Sequence, residues 1–316
     1  MKPDIITLDL EMPEMDGLEL LKEIKREKLS VGTILLSCLS ADCGELTMKG
    51  LELGAFDYVP KLKAATQEDD VIAIRESLHA IFKAYTRQKD MLLRNSIRKT
   101  SLPPQLPAPA QTVPPPFTKH SGKRCEAVAI GISTGGPKAL IELMAALPAD
   151  IGVPVFVVQH MPALYTASLA NNLNSRCAFL VKEAENGEEV LPNIAYIAPG
   201  GKQMCVSPTV NSSVKIIRIT DDPPENNCRP SVDYLFRSLA THYTGRTTGV
   251  IMTGMGSDGA VGARLMKQNG AMIIAQNQAT CVVYGMPKAV VDAGIVDMVL
   301  PLDRIAEEIV KSLGVV

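Results

Sequence analysis

No stretch of this 316-residue chain is an unbroken apolar run of the about 18 residues that would cross a bilayer, so a helical membrane span is excluded. Charge is nearly balanced at a formal −2, which leaves no basic excess to attract nucleic acid. The opening Met1-Lys2-Pro3-Asp4 lacks the basic and apolar regions of a secretory leader. Seven cysteines (38, 43, 125, 177, 205, 228, 281) include no Cys-x-x-Cys spacing and total an odd number, so reduced thiols are expected rather than a disulfide framework or a zinc site. These absences together predict a cytoplasmic, soluble protein. Histidine is also scarce, with four in all, and that scarcity sharpens the reading of one of them.

The length allows two domains, each able to bury a core. Composition changes sharply once, at Leu102 to Pro116, which reads LPPQLPAPAQTVPPP. Proline rings there fix φ and remove backbone donors, so the segment is expected to be extended and solvated. The chain is divided accordingly into residues 1–98, a linker at 99–122, and residues 123–316.

On the N-terminal side, apolar runs at Asp4–Leu10, Thr33–Cys38 and Phe56–Val59 predict strands. Amphipathic stretches at Gly17–Lys28, Glu45–Leu53 and Asp69–Arg98 predict helices between and after them. On the C-terminal side, runs at 126–132, 154–159, 194–198, 248–253, 272–275 and 295–300 alternate with helical patterns at 137–147, 162–175, 231–241, 259–269 and 286–293. This grammar predicts a doubly wound, mainly parallel Rossmann-like sheet, with its ligand site beyond the carboxyl ends of the strands. Imperfect alternation over Val206–Ile219 predicts an antiparallel hairpin at one edge.

Three of those strand ends carry chemistry. Gly131-Ile132-Ser133-Thr134-Gly135-Gly136 turns from a buried strand into a helix, where a serine hydroxyl is exposed and glycines let a substrate approach the backbone. The next strand ends in Gln159-His160-Met161-Pro162, and the run at 248–253 leads into Gly254-Met255-Gly256-Ser257-Asp258-Gly259. Serine, histidine and aspartate on one sheet edge form the set required for acyl transfer by a serine nucleophile. Ser133 and Asp258 each have a bland alternative as helix N-caps. His160 is harder to explain away, since His79 lies on a helix, His120 in the linker and His242 in a polar stretch. A dinucleotide site is disfavoured because the glycines are not spaced Gly-x-Gly-x-x-Gly and the second strand ends without an acidic residue.

Taken together, Gly131–Gly136, Gln159–Pro162, Tyr196-Ile197-Ala198-Pro199-Gly200, Arg229-Pro230-Ser231-Val232-Asp233, Thr253–Gly259, Ala275-Gln276-Asn277 and Tyr284-Gly285-Met286-Pro287 resemble the CheB family of chemotaxis methylesterases. The resemblance implies hydrolysis of glutamyl methyl esters on chemoreceptors, with deamidation of receptor glutamines as a second reaction. It makes Ser133 the nucleophile, His160 the base and then acid, and Asp258 its orienting partner. It also implies that the backbone N–H of Met255 serves the oxyanion, that Thr134 helps position His160, and that Arg229 holds a receptor carboxylate or pairs with Asp221, Asp222 or Asp233. Cys228 stands where family members often carry histidine. Catalysis needs no metal or cofactor on this reading.

Residues 1–98 resemble part of a flavodoxin-like response-regulator receiver. The resemblance makes Asp9 the phosphoacceptor, Ser37 the switch hydroxyl, Lys61 the lysine at the acyl phosphate, and a chemotaxis histidine kinase the phosphodonor. A full receiver has two further strands, the first ending in an acidic pair that binds magnesium, so the metal is not expected here. A remnant lacking them is expected to hold no single packed arrangement and to cover the catalytic cleft weakly. The competing reading from another class is a non-catalytic receptor-binding or scaffolding module, with a nucleotide-binding module a distant third.

Overall fold

The structure is a computed structural model, and it describes residues 2–61, 67–100, 125–209, 214–243 and 246–314. The proline-rich segment, with His120, lies outside the described residues.

The N-terminal elements are β1 (Ile5–Asp9), α1 (Gly17–Arg26), β2 (Gly32–Cys38), α2 (Ala41–Leu53), β3 (Asp57–Lys61) and α3 (Gln67–Thr100). The strands form a parallel sheet in the order β1-β2-β3. Asp16 caps α1 by accepting from Glu19 N at 2.7 Å, while Glu19 reaches back to Asp16 N, a reciprocal box that satisfies two free donors at the helix start. Among the described residues β1 pairs on one side only; α3 lies against it, with Tyr85 donating to Asp4 O at 2.8 Å.

The C-terminal elements are β4 (Ala127–Ile132), α4 (Gly136–Ala145), β5 (Val155–Gln159), α5 (Tyr165–Asn174), β6 (Leu180–Glu183), β7 (Ile194–Ile197), β8 (Gln203–Pro208), β9 (Lys215–Thr220), α6 (Val232–Tyr243), β10 (Thr247–Ile251), α7 (Ala260–Gln268), β11 (Met272–Gln276), α8 (Met286–Asp292), β12 (Met298–Leu300) and α9 (Leu302–Ser312). Seven of these strands form an all-parallel sheet in the order β12-β11-β10-β4-β5-β7-β6. Helices cover both faces, which is why every residue of β4, β5 and β10 is buried and those strands read as unbroken apolar runs rather than as alternation. The chain winds outward from β4 through β5 in one direction and through β10 in the other. The gap at the carboxyl ends of β10, β4 and β5 is therefore the switch point where such sheets bind ligands.

Strand β6 and helix α9 were not expected from the sequence; β6 is four residues with one buried position, whereas the amphipathic period of α9 was there to be read. The expected hairpin is β8–β9, an antiparallel sheet of its own that lies against α6 rather than a further strand of the large sheet.

Two expectations are corrected. The cysteines are not all free, since Cys38 and Cys43 form a disulfide across the β2–α2 turn. Their spacing of five residues places them at the end of a strand and in the first turn of the next helix, a proximity that no sequence spacing rule reports. The N-terminal part, expected to hold no single packed arrangement, packs against helix α5 of the larger sheet. Leu8, Leu10, Leu35, Met48 and Leu51 share one apolar cluster with Tyr165 and Leu169 of α5. Tyr165 is fully buried, stacks on Tyr58 at 5.2 Å, and donates to Cys38 O at 2.7 Å, with Ser37 Oγ 2.8 Å from the same hydroxyl oxygen. Burial of a tyrosine with both its ring and its hydroxyl satisfied supplies the contact that a strand count alone could not anticipate.

Candidate active site

Ser133 follows β4, His160 follows β5, and Asp258 lies in the loop after β10, so the switch point collects all three. Parallel pairing aligns them: Ser133 N donates to Thr253 O at 2.9 Å, and His160 N donates to Ile132 O at 3.1 Å. Gly254 lets this approach happen, because a Cβ there would stand 2.8 Å from Ser133 Cβ. The cap of α4 is Gly135 at φ +75°, with no side chain bonding the helix start, so the Ser133 hydroxyl is not spent on capping.

Asp258 is buried and anchored by the start of α6. Its Oδ2 accepts from Val232 N at 2.7 Å; its Oδ1 accepts from Asp233 N at 3.1 Å, Ser231 Oγ at 2.9 Å, Asn226 Nδ2 at 3.1 Å and Gly259 N at 3.0 Å. Burial opposes its charge, but the histidine and these backbone donors outweigh burial and hold the carboxyl below its ordinary range. Asp258 Oδ2 then lies 2.8 Å from His160 Nε2. The ionised carboxylate can only accept, so Nε2 carries the hydrogen and Nδ1 of the neutral ring is left with the free lone pair. Burial likewise opposes charge on His160, yet its bonds to Asp258 and Cys228 prevail and raise it well above the ordinary 6.5.

That direction has a kinetic consequence. The acid limb of kcat/KM should lie above pH 6.5, with activity still rising as the medium becomes alkaline, because only the neutral imidazole accepts a proton. Asp57, at the mouth of the site, is pushed up to about 7 by burial despite backbone N–H donors from Tyr58 and Gly135, so it titrates in the same window. The profile is therefore measured in Asp57→Asn as well. A limb at or below 6.5 in both proteins would count against the pairing described for His160.

Ser133 and His160 line one cavity of about 190 Å³ together with Thr134, Gln159, Pro162 and Met255. Among the described residues no hydrogen bond joins Ser133 Oγ to His160, although both line the same cavity. The Met255 side chain is exposed and its amide donates to no group among the described residues, which leaves that N–H available. Thr134 contributes its carbonyl to Thr253 Oγ1 at 3.0 Å and lines the cavity. Arg229 donates to the carbonyl oxygens of Asp221 (3.3 Å) and Asp222 (3.5 Å); among the described residues it forms no ion pair with those carboxylates or with Asp233.

Several residues of the site were not singled out from the sequence. Asn226 and Ser231 fix Asp258, and Asp57, Tyr58, Pro60, Ser77 and Ile81 roof the cavity from β3 and α3. Ser231 lies within the motif Arg229–Asp233, which leads into a helix whose free N–H groups need an acceptor such as Asp258; nothing local signals Asn226. Nothing local signals the roof.

At the N-terminal site, Lys61 pairs with Asp9, and Glu11 N donates to Asp9 Oδ1 at 3.3 Å. Ser37 is one residue beyond Leu36, the register partner of Asp9; it is fully buried and hydrogen-bonded to Thr47 (2.6 Å) and Tyr165 (2.8 Å). Among the described residues, groups able to share a metal gather at Glu11/Cys38/Cys43 and at His160/Cys228/Asp258, and none surrounds Asp9.

The family model for CheB methylesterase matches residues 128–309, and that for the response regulator receiver domain matches residues 1–75. The protein-glutamate methylesterase/protein-glutamine glutaminase of Desulfotalea psychrophila is 49% identical over 99% of this chain and 86% of its own length. Its namesake in Clostridium acetobutylicum is 40% identical over 98% of this chain and 84% of its own. The crystal structure of the Thermotoga maritima CheB methylesterase catalytic domain covers 59% of this chain and 98% of its own, at 42% identity and a TM-score of 0.57.

Proposed function

The chain belongs to the CheB methylesterase family, and we propose that it hydrolyses glutamyl methyl esters of chemotaxis receptors through Ser133, His160 and Asp258. The observation that carries the residue assignment is the bond between His160 Nε2 and a buried Asp258 carboxylate already saturated by backbone donors. That geometry leaves Nδ1 as the acceptor for the Ser133 proton. Ser133 Oγ then attacks the ester carbonyl, and Met255 N–H supports the oxyanion as charge develops. His160 returns the proton to the departing methoxide, releasing methanol, and a water repeats the cycle on the acyl-serine. A glutamine side chain would follow the same route with ammonia leaving. No described helix is long and apolar enough to cross a membrane, and cytoplasmic action on the receptors' inner helices fits the reading.

Residues 1–98 act in this reading as a receiver, 99–122 as linker and 123–316 as the catalytic domain, with a histidine kinase as phosphodonor to Asp9. Asp9 and Lys61 have the parts to hold a phosphoryl group. Among the described residues no group of three metal-ligating side chains includes Asp9, and no step is routed through a metal. The full-length chain, given receptor membranes carrying methyl esters, should release methanol; its absence would favour a scaffolding module of the same fold.

The roof over the cavity implies restraint of this activity. Helix α2 packs closely on α5, so closely that a Cβ at Gly44 would stand 2.5 Å from Ser168 Oγ. Gly44→Phe should therefore lever the receiver away and raise methanol release several-fold. Unchanged release, with the fold intact by circular dichroism, would mean that the roof does not limit access.

A further inference from the structure

The catalytic imidazole has two faces, and the esterase reading uses only one of the groups that meet it. Opposite Asp258, Nδ1 of His160 lies 3.6 Å from Sγ of Cys228. The thiol is half-buried and its backbone is fixed, because Glu225 and Cys228 exchange both N–H···O bonds, at 3.0 and 2.8 Å. The ring is fixed by Asp258. Two donors of the kind that bind soft divalent metals are thus held facing one another.

We propose that Cys228 Sγ and His160 Nδ1 form a binding site for a thiophilic divalent cation, zinc being the best fit, and that its occupation switches the esterase off.

The separation suits the metal. Zn–N bonds of about 2.0–2.1 Å and a Zn–S bond of about 2.3 Å, at a tetrahedral angle, place nitrogen and sulfur about 3.5–3.6 Å apart. The donor atoms of His160, Cys228 and Asp258 all lie within 4.8 Å of one another. Thiolate and imidazole select zinc over magnesium and calcium, which prefer oxygen. Asp258 would keep its place on Nε2–H, where a carboxylate behind a metal-bound histidine fixes the ring and raises its basicity. On binding, the Cys228 thiol gives its proton to solvent as the Zn–S bond forms, and His160 supplies the Nδ1 lone pair. No electron is transferred, and the remaining positions are open to water. That lone pair is the one that must take the Ser133 proton, so a metal-bound enzyme has no base.

Competing thiols are few. Cys125 and Cys281 are buried, and among the described residues Cys177 and Cys205 belong to no group of three possible metal ligands. Cys38 and Cys43 would join Glu11 in a second cluster once reduced, so the test uses full-length protein carrying Cys38→Ser and Cys43→Ser.

Metal-stripped protein is titrated with cobalt, as a spectroscopic stand-in for zinc, and followed by thiolate-to-cobalt charge-transfer absorption. Zinc is then titrated against methanol release, each variant being scaled to its own metal-free rate. The expected result is a charge-transfer band that saturates, is absent from Cys228→Ala and Cys228→Ser, and is accompanied by zinc inhibition that a chelator reverses. Half-inhibition should need at least about tenfold more zinc in both variants. A band retained in the Cys228 variants, or equal zinc sensitivity in all three proteins, would overturn the proposal. The inhibition arm rests on the triad reading, whereas the cobalt band requires no turnover, so failure of the esterase and failure of the metal site are separately visible.

Discussion

Ser133→Ala should lower methanol release from methylated receptor membranes by at least about three orders of magnitude while leaving thermal unfolding nearly unchanged. The loss is large because nucleophile, base and orienting carboxylate act as a unit, and the remaining amide at Met255 can stabilise an oxyanion only after something has attacked. The fold should tolerate the change, since Ser133 is held through its backbone: its N–H bonds Thr253 O, and its carbonyl accepts from Gly136 N at 2.7 Å and Gln159 Nε2 at 3.0 Å. None of these contacts uses Oγ. Release within tenfold of the parent would remove the serine mechanism and leave Cys228, on the same histidine, as the nucleophile to examine.

Asp258→Asn should cost about three to four orders of magnitude in kcat. The carboxylate accepts from six donors, namely His160 Nε2, Asn226, Ser231 and the backbone N–H groups of Val232, Asp233 and Gly259. An amide offers one acceptor oxygen in place of two, so an NH₂ group must face donors whichever way it turns. If it faces His160, the ring flips tautomer and Nδ1 gains the hydrogen that it should be ready to accept. If it faces α6, the helix start loses acceptors at a cost of about 1–3 kcal/mol. Measuring kcat beside the unfolding temperature separates the two. A modest fall in kcat with a large fall in stability would make Asp258 a structural anchor of α6 rather than the partner of the base.

Much of the catalytic half was legible along the chain because its signals are local. Strand β4 is a buried run leading into Gly131–Gly136, and parallel strands covered on both faces must be apolar throughout, so β4, β5 and β10 could be found by composition. Once they are parallel neighbours, their carboxyl ends must share an edge, which is why Ser133, His160 and Asp258 could be gathered before any coordinates. Strand β6 escaped because only one of its four residues is buried, leaving no period to detect.

What the tertiary structure alone decided are the relations between elements remote in sequence. Which imidazole nitrogen meets Asp258, and hence which keeps the free lone pair, depends on a ring orientation set by residues 98 positions apart. The thiol at His160 Nδ1 comes from a loop 68 residues further along the chain. The roof of Asp57, Tyr58 and Ile81 over the cavity follows from Tyr165 docking against Ser37 and Cys38. The sequence by itself determined the parallel sheet, its switch point and the residue types delivered there, because strand burial and turn chemistry are written into neighbouring residues. Only the folded chain determined charge state, tautomer and cover, because hydrogen-bond direction and desolvation arise from groups brought together across 98 residues at His160–Asp258 and 128 at Tyr165–Ser37.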